Sequence, residues 1–134
     1  MTIKSMGRAK WAVALALVIP VTGCVAAAAA AGAGAGIYLT TRGAESLVES
    51  PVDQVASRAE VVMREENIVA DGSSTDEGGD QRQLKGKKND LDVTIDIQRE
   101  SETTSKVEVT ARENVAEWDK EYAQELLARI VEKN

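Results

Sequence analysis

The sequence predicts an α+β fold in which an antiparallel sheet of four to five strands is covered on one face by two amphipathic helices. Strict alternation of apolar and polar residues over residues 90–97 and again over residues 106–112 is typical of half-buried strands. One face of such a sheet is polar and stays in water. Apolar residues at helical spacing before and after these strands supply the cover for the other face.

The first half of the predicted domain opens with two short strands and a helix. Residues 37–42 and 44–48 are extended pieces on either side of Gly43, which suits a turn or a bulge. Ser50 as the N-cap and Pro51 at the first helical position then begin a helix that ends near Asn67. Its apolar face consists of Val52, Val55, Ala59 and Val62.

The second half continues the sheet and ends in a helix. A strand over residues 68–70 runs into a loop over residues 71–80, which is rich in Gly, Ser and acidic residues. Residues 82–88 form a weak strand, and residues 99–105 form the hairpin loop between the two alternating strands. The last helix spans about residues 118–132, with an apolar stripe made of Trp118, Tyr122, Leu126, Leu127, Ile130 and Val131.

Composition removes several classes of function. The chain has no histidine, which excludes Ser/His/Asp and Cys/His nucleophile systems and an ordinary zinc site. From residue 24 onward there are 13 basic and 22 acidic side chains, a balance that argues against nucleic acid as a partner. We therefore expect no enzyme activity and no cofactor.

The N-terminus follows the secretory pattern. Residues 1–10 carry three basic side chains and no acidic one, and residues 11–19 form a short apolar core. Val21-Thr22-Gly23-Cys24 resembles the bacterial lipobox. That resemblance implies a signal peptide over residues 1–23, cleavage before Cys24, and acyl chains on Cys24 that attach the protein to a membrane.

The segment after Cys24 contains only Val, Ala and Gly up to residue 36, and we interpret residues 24–36 as a flexible lipidated tether. Three alternatives stay open. In the first, Cys24 is a structural cysteine. In the second, residues 11–31 form an uncleaved membrane helix. In the third, the small residues form a stripe on which helices pack. In Gram-negative lipoproteins an aspartate directly after the cysteine is the usual inner-membrane retention signal, and in a host with an outer membrane Val25 in that position favours the periplasmic face of the outer membrane.

Taken together, these features resemble one known family. They are the lipobox cysteine, the Ala/Gly tract ending in Gly36-Ile37-Tyr38, Gly43, the valine-bearing first helix, the alternating strands and the C-terminal Leu-Leu-Ala-Arg-Ile-Val helix. This combination resembles the small bacterial lipoproteins of domain-of-unknown-function family 3568. The resemblance covers nearly the whole chain after Cys24, with residues 37–134 as the periplasmic domain. The resemblance implies a cellular location and a fold, but no activity.

The clusters of polar residues match no known catalytic or metal-binding pattern. We predict no catalytic, cofactor-binding or metal-binding residue. The acidic residues of the predicted loop match no EF-hand spacing; they are Asp71, Asp76, Glu77 and Asp80. A wet sheet face accounts for Asp90, Asp92 and Asp96. Lys85, Lys87 and Lys88 fit either of two roles. They contact anionic lipid head groups or cell-wall polymer, or they protect a strand edge from aggregation. Trp118 and Tyr122 fit the core stripe better than a ligand site.

Two functions are compatible with this pattern. The first is a non-catalytic, lipid-anchored module at the outer membrane whose domain binds another envelope protein or cell-wall polymer. The alternative is a periplasmic binding module that holds a small apolar or lipid ligand between the helices and the sheet.

Overall fold

A computed structural model describes residues 36–133. They form a six-stranded antiparallel sheet with two helices on one face, so the α+β class and the two-layer arrangement are confirmed. The predicted signal peptide, the lipobox of Val21, Thr22, Gly23 and Cys24, and the tether except its last residue lie outside the described residues. No helix within residues 36–133 is long and apolar enough to cross a membrane.

The strands follow one another in the sheet in the order β1-β2-β6-β5-β4-β3, and each pairs antiparallel with its neighbours. Helix α1 leads from β2 to β3 at the far edge of the sheet, and it lies over β4 and β5. Helix α2 follows β6 and lies over β2 and β6. In chain order the elements are β1 Ile37–Leu39, β2 Gly43–Val48, α1 Val52–Glu65, β3 Val69–Thr75, β4 Gln81–Lys88, β5 Leu91–Ser101, β6 Thr104–Arg112 and α2 Lys120–Glu132.

The core lies between the helices and the sheet face that β5 and β6 dominate. Ile95 and Val109 face each other across these strands and are inaccessible to solvent. Two serines also point into this layer, and each has its hydroxyl satisfied. The Ser46 hydroxyl donates to the Gly36 carbonyl over 2.9 Å, and the Ser105 hydroxyl donates to the Ser50 carbonyl over 2.7 Å.

The strand count of four to five is wrong, because β3 extends to Thr75 and the predicted loop shrinks to residues 76–80. Every residue of β3 is exposed, so the strand shows no apolar alternation. Backbone pairing with β4 defines this strand, with an irregularity between Ala70 and Gly72. A polar edge strand held by main-chain hydrogen bonds resembles a loop in sequence.

Three element ends differ from their predicted positions. Pro51 is the N-cap of α1 and makes no side-chain capping bond, while the Ser50 hydroxyl donates to the Glu49 carbonyl over 2.7 Å. The β5–β6 turn is only residues 102–103, because both strands extend beyond their apolar parts. Helix α2 begins at Lys120, since the Asp119 carboxylate caps it by accepting a hydrogen bond from the Tyr122 backbone N–H over 2.9 Å.

A charged cluster joins both helices to the sheet. The Glu66 carboxylate lies 2.5 Å from Arg129 Nη1 on α2 and 3.3 Å from Lys88 Nζ on β4, and its side chain is only 15% exposed. Glu65 forms a further ion pair with Lys133. Desolvation lowers the pKa of Lys88, but the Tyr122 hydroxyl and the Glu66 carboxylate outweigh it and raise that pKa above its ordinary 10.5.

The register of β5 can be tested by placing a charge on each of its faces. Ile95→Asp should unfold the domain, because an unpaired carboxylate in this core costs more than about 4 kcal/mol. Thr94→Asp places the same group on the opposite face, beside Lys85 of β4, and should lower the melting temperature by a few degrees at most. Thermal unfolding followed by circular dichroism measures both, and an unchanged melting temperature in Ile95→Asp would contradict the register.

Candidate interaction surface

The sheet face opposite the helices is named the open face, and neither helix covers it. Direct cross-strand pairing arranges its side chains in rows that run from strand to strand. The open face carries basic, acidic and threonine side chains, and it has an apolar or aromatic residue at several positions. Its main members are Tyr38, Glu45, Leu47, Gln83, Lys85, Asp92, Thr94, Asp96, Lys106, Glu108, Thr110 and Arg112.

Trp118 stands at one end of the open face. The chain leaves β6 at Arg112, makes a loop, and returns so that Trp118 forms an antiparallel bridge with Arg112. Asn114 shapes this loop, because its side-chain oxygen accepts hydrogen bonds from the backbone N–H of Ala116 and Glu117 over 3.0 and 3.1 Å. Trp118 thereby helps to line a cleft of about 290 Å³ above Thr94 and Thr110.

Two arginines flank the Trp118 ring. The guanidinium carbons of Arg42 and Arg112 both lie 5.8 Å from the ring centre, within the range of a cation–π interaction. Arg42 sits in the β1–β2 turn, which approaches β6 so closely that a Cβ on Gly43 would lie 2.0 Å from the Val109 carbonyl oxygen. Glycine is therefore required at position 43 to bring Arg42 to Trp118.

A row of carboxylates crosses the middle of the open face. Glu108 of β6 lies directly opposite Glu45 of β2 on one side and Asp96 of β5 on the other. Like charges in directly opposed positions destabilise a sheet. Asp96 accepts a hydrogen bond from Gln83 Nε2 over 2.6 Å, which satisfies part of this row. Among residues 36–133 no group of three or more acidic, cysteine or histidine side chains has the geometry to hold a metal ion.

Three other acidic residues singled out in the sequence, Asp76, Asp80 and Asp92, make hydrogen bonds or ion pairs. Asp92 lies on the open face 3.6 Å from Lys87 and 3.9 Å from Arg112, whereas Asp90 lies in the β4–β5 turn. Asp76 accepts a hydrogen bond from the backbone N–H of Gln81, and Asp80 pairs with Arg99 at 3.0 Å. These contacts give Asp76 and Asp80 of the β3–β4 turn a structural role.

The three lysines of β4 divide between two environments. Lys85 and Lys87 are exposed, while Lys88 is drawn to Glu66 and lies with its ammonium 5.0 Å from the centre of the Tyr122 ring. Protection of a strand edge does not account for them, because β4 is an internal strand and β3 forms the edge.

Sequence reasoning misplaced one aromatic residue, Trp118. Trp118 precedes α2 and lies on the open face, so its predicted place on the core stripe is wrong. Tyr122 packs against the core as predicted, although it stays partly exposed. Tyr38 is 54% exposed. Two signals could have revealed this: Asp119 is a good N-cap, and the inward neighbour Ile37 turns Tyr38 outward.

The position of Trp118 can be tested by fluorescence quenching in a Trp11→Phe chain, where it is the sole tryptophan. Iodide should quench it efficiently, because Arg42 and Arg112 raise the local concentration of anions. Replacing both arginines by Gln should reduce iodide quenching roughly by half and leave quenching by neutral acrylamide unchanged. Arg58→Gln, on α1, is the control. Resistance of Trp118 to both quenchers would instead indicate a core position.

Comparison with known proteins agrees with the resemblance seen in the sequence. No match is found among curated proteins. A family model described as "Protein of unknown function (DUF3568)" matches residues 8–133. This match covers the chain except for its two ends, and it includes every strand and helix of the domain. The chain therefore belongs to domain-of-unknown-function family 3568.

Proposed function

We propose that this protein is a non-catalytic, lipid-anchored module of the cell envelope that binds another envelope protein or cell-wall polymer through its open face. Cys24 carries the acyl chains in this proposal, and the domain stands on the periplasmic face of the outer membrane. The proposal has two parts, the anchor and the binding surface, and each is tested separately.

The placement of the aromatic residues carries the proposal. The chain has only four aromatic residues, and aromatic side chains are among the most effective core-packing groups. Nevertheless, the buried core of residues 36–133 consists of aliphatic residues and one methionine, while Tyr38 and Trp118 stand on the open face. Trp, Tyr and Arg are the residues most enriched at binding hot spots, and Trp118 is flanked by two arginines.

The electrostatics of the open face support recognition of a macromolecule. Arg42 and Arg112 provide positive charge at the Trp118 end, and the row of Glu45, Glu108 and Asp96 provides negative charge across the middle. A surface with both signs in fixed positions favours a partner with the complementary pattern and rejects others. The unfavourable opposition of three carboxylates is a cost that a cationic group of the partner would relieve.

The anchor rests on the sequence alone, and it fits the way the chain enters the domain. The Gly36 carbonyl is bonded to Ser46, and Ile37 begins β1 at one edge of the sheet. Residues 25–36 span at most about 40 Å when fully extended, which would hold the start of β1 within that distance of the membrane surface.

The anchor can be tested by the intact mass of the protein extracted from the membranes of its own host. We expect a chain that begins at Cys24 and is heavier by two or three acyl chains. Cys24→Ala should fold but stay unprocessed, and it should therefore migrate as a larger protein than the wild type. An unmodified chain that retains residues 1–23 would contradict the anchor and favour the single membrane helix.

The binding surface can be tested in cells with a photo-crosslinking amino acid introduced into the full chain. Adducts should form from positions 45 and 94 on the open face and not from position 125, an exposed position of α2. Trp118→Ala should reduce the adducts at least about tenfold, because an aromatic hot spot contributes 2 kcal/mol or more to binding.

The control for Trp118→Ala is Val115→Ala, which changes a 92% exposed side chain of the same loop and should leave the adducts unchanged. Digestion of the adducts with protease or with a cell-wall hydrolase distinguishes a protein partner from a glycan partner. Adducts that form equally from α2, or that persist in Trp118→Ala, would contradict the open face as the binding surface.

A second candidate function is the binding of a small apolar or lipid ligand. It is favoured by a separate cleft on the helix side of the sheet, between α1 and the edge formed by β3 and β4.

A further inference from the structure

The cleft beside Trp118 is a groove that runs across the strands of the open face. Its floor is a row in which Gly43 lies directly opposite Thr110, and Thr110 directly opposite Thr94. These residues have short side chains or none, whereas the rows two residues away on either side carry longer ones. The row continues to Lys85 on β4, so the floor crosses four strands, or about 14 Å.

The two walls of the groove carry opposite charge. The carboxylate row forms the first wall, and its members Glu108 and Asp96 line the cleft. The Trp118 ring forms the second wall together with the guanidinium groups of Arg42 and Arg112. Position 108 and position 112 lie on the same strand and the same face, so the walls are about 13 Å apart at the backbone.

Each wall retains charge that a partner can pair with. Arg42 and Glu108 form no ion pair with other residues between 36 and 133. Arg112 has a long contact of 3.9 Å to Asp92, which lies closer to Lys87 at 3.6 Å. The residues that line the cleft include three basic and three acidic side chains, so the groove has both signs and no net charge. A purely cationic or purely anionic ligand would meet a wall of its own sign.

We propose that this groove binds an extended peptide segment of a protein partner, in which cationic and anionic side chains alternate. Successive side chains of an extended chain point to opposite sides. A peptide that lies along the floor therefore directs its cationic residues to the carboxylate row and its anionic residues to Arg42 and Arg112. The hydroxyls of Thr94 and Thr110 are available to the peptide backbone, and about four residues cover the floor.

This inference rests on the proposed function and deepens it, because it selects a protein as the partner and gives the pose of the bound segment. A neutral glycan would stack on Trp118 but would leave the charges of both walls without a partner.

The test uses two hexapeptides of the same composition, both acetylated and amidated so that neither has a net charge. One alternates Lys and Glu, and the other has three Lys followed by three Glu. Each is titrated at low ionic strength into the full chain with Trp11→Phe in dodecyl maltoside micelles, and the fluorescence of Trp118 reports binding. We expect the alternating peptide to bind about tenfold more tightly, because it forms two or three ion pairs that the other cannot form at the same time.

Variants of each wall test the pose. Arg42→Gln combined with Arg112→Gln should lower the affinity for the alternating peptide to that for the block peptide, and Glu108→Gln should have the same effect from the other wall. The matched controls are Arg58→Gln on α1 and Glu125→Gln on α2, which should leave both affinities unchanged. An unchanged preference in the wall variants would contradict the pose.

The remaining outcomes separate this inference from the proposed function. Equal affinity for the two peptides would overturn the alternating segment and leave the open face as the binding surface. A tetramer of N-acetylglucosamine is titrated in parallel, and we expect it not to bind. If it bound in place of the peptides and lost affinity in Trp118→Ala, the partner would be a glycan and only this inference would fail. Binding of none of the three probes would also overturn the inference, whereas the open face itself is contradicted by crosslinks that form equally from α2.

Discussion

The structure depends on the one-sided character of its central strands. Alternation in β5 and β6 places every large aliphatic side chain of these strands on one face, with Ile95 against Val109 at the centre. Burial of each such side chain contributes roughly 1.5–3 kcal/mol, so both helices must lie on that face. The polar character of the open face and the position of Trp118 outside the helix-side core follow from this constraint.

The composition of the core has a consequence for the surface. Val, Ile, Leu and Ala fill the layer between helices and sheet almost entirely, and Gly86 lets Met63 and Ile68 approach the sheet directly. No aromatic side chain is among the fully buried residues of 36–133, and Trp118 lies on the open face instead. At the same C-terminal end of α1, the half-buried Glu66 joins both helices and β4 through Arg129 and Lys88, and it fixes the helix layer beside these aliphatic contacts.

The sequence predicts those parts of the fold in which side-chain burial decides the structure. The alternating strands and the apolar faces of both helices are of this kind, and they are present as expected. Main-chain hydrogen bonds alone define β3, so its Asp-Gly-Ser-Ser stretch resembles a loop. Trp118 was misplaced because one turn of helical spacing fits it to the stripe of α2, whereas the Asp119 cap begins the helix after it. The carboxylate row and the arginine pair around Trp118 depend on cross-strand register, which single-sequence patterns do not reveal.

The position of β1 determines how the domain responds to mechanical force. The chain enters through a three-residue strand at the sheet edge, bonded on one side to β2. If the proposed anchor and the proposed binding surface are both correct, a pull between them would be transmitted through these few hydrogen bonds. Ile37, buried at 4% exposure under α2, is the first core residue to leave. Detachment of β1 would then lengthen the connection to the N-terminal segment while β2 to β6 and both helices stay folded, and β1 would act as an extensible element in series with a rigid domain.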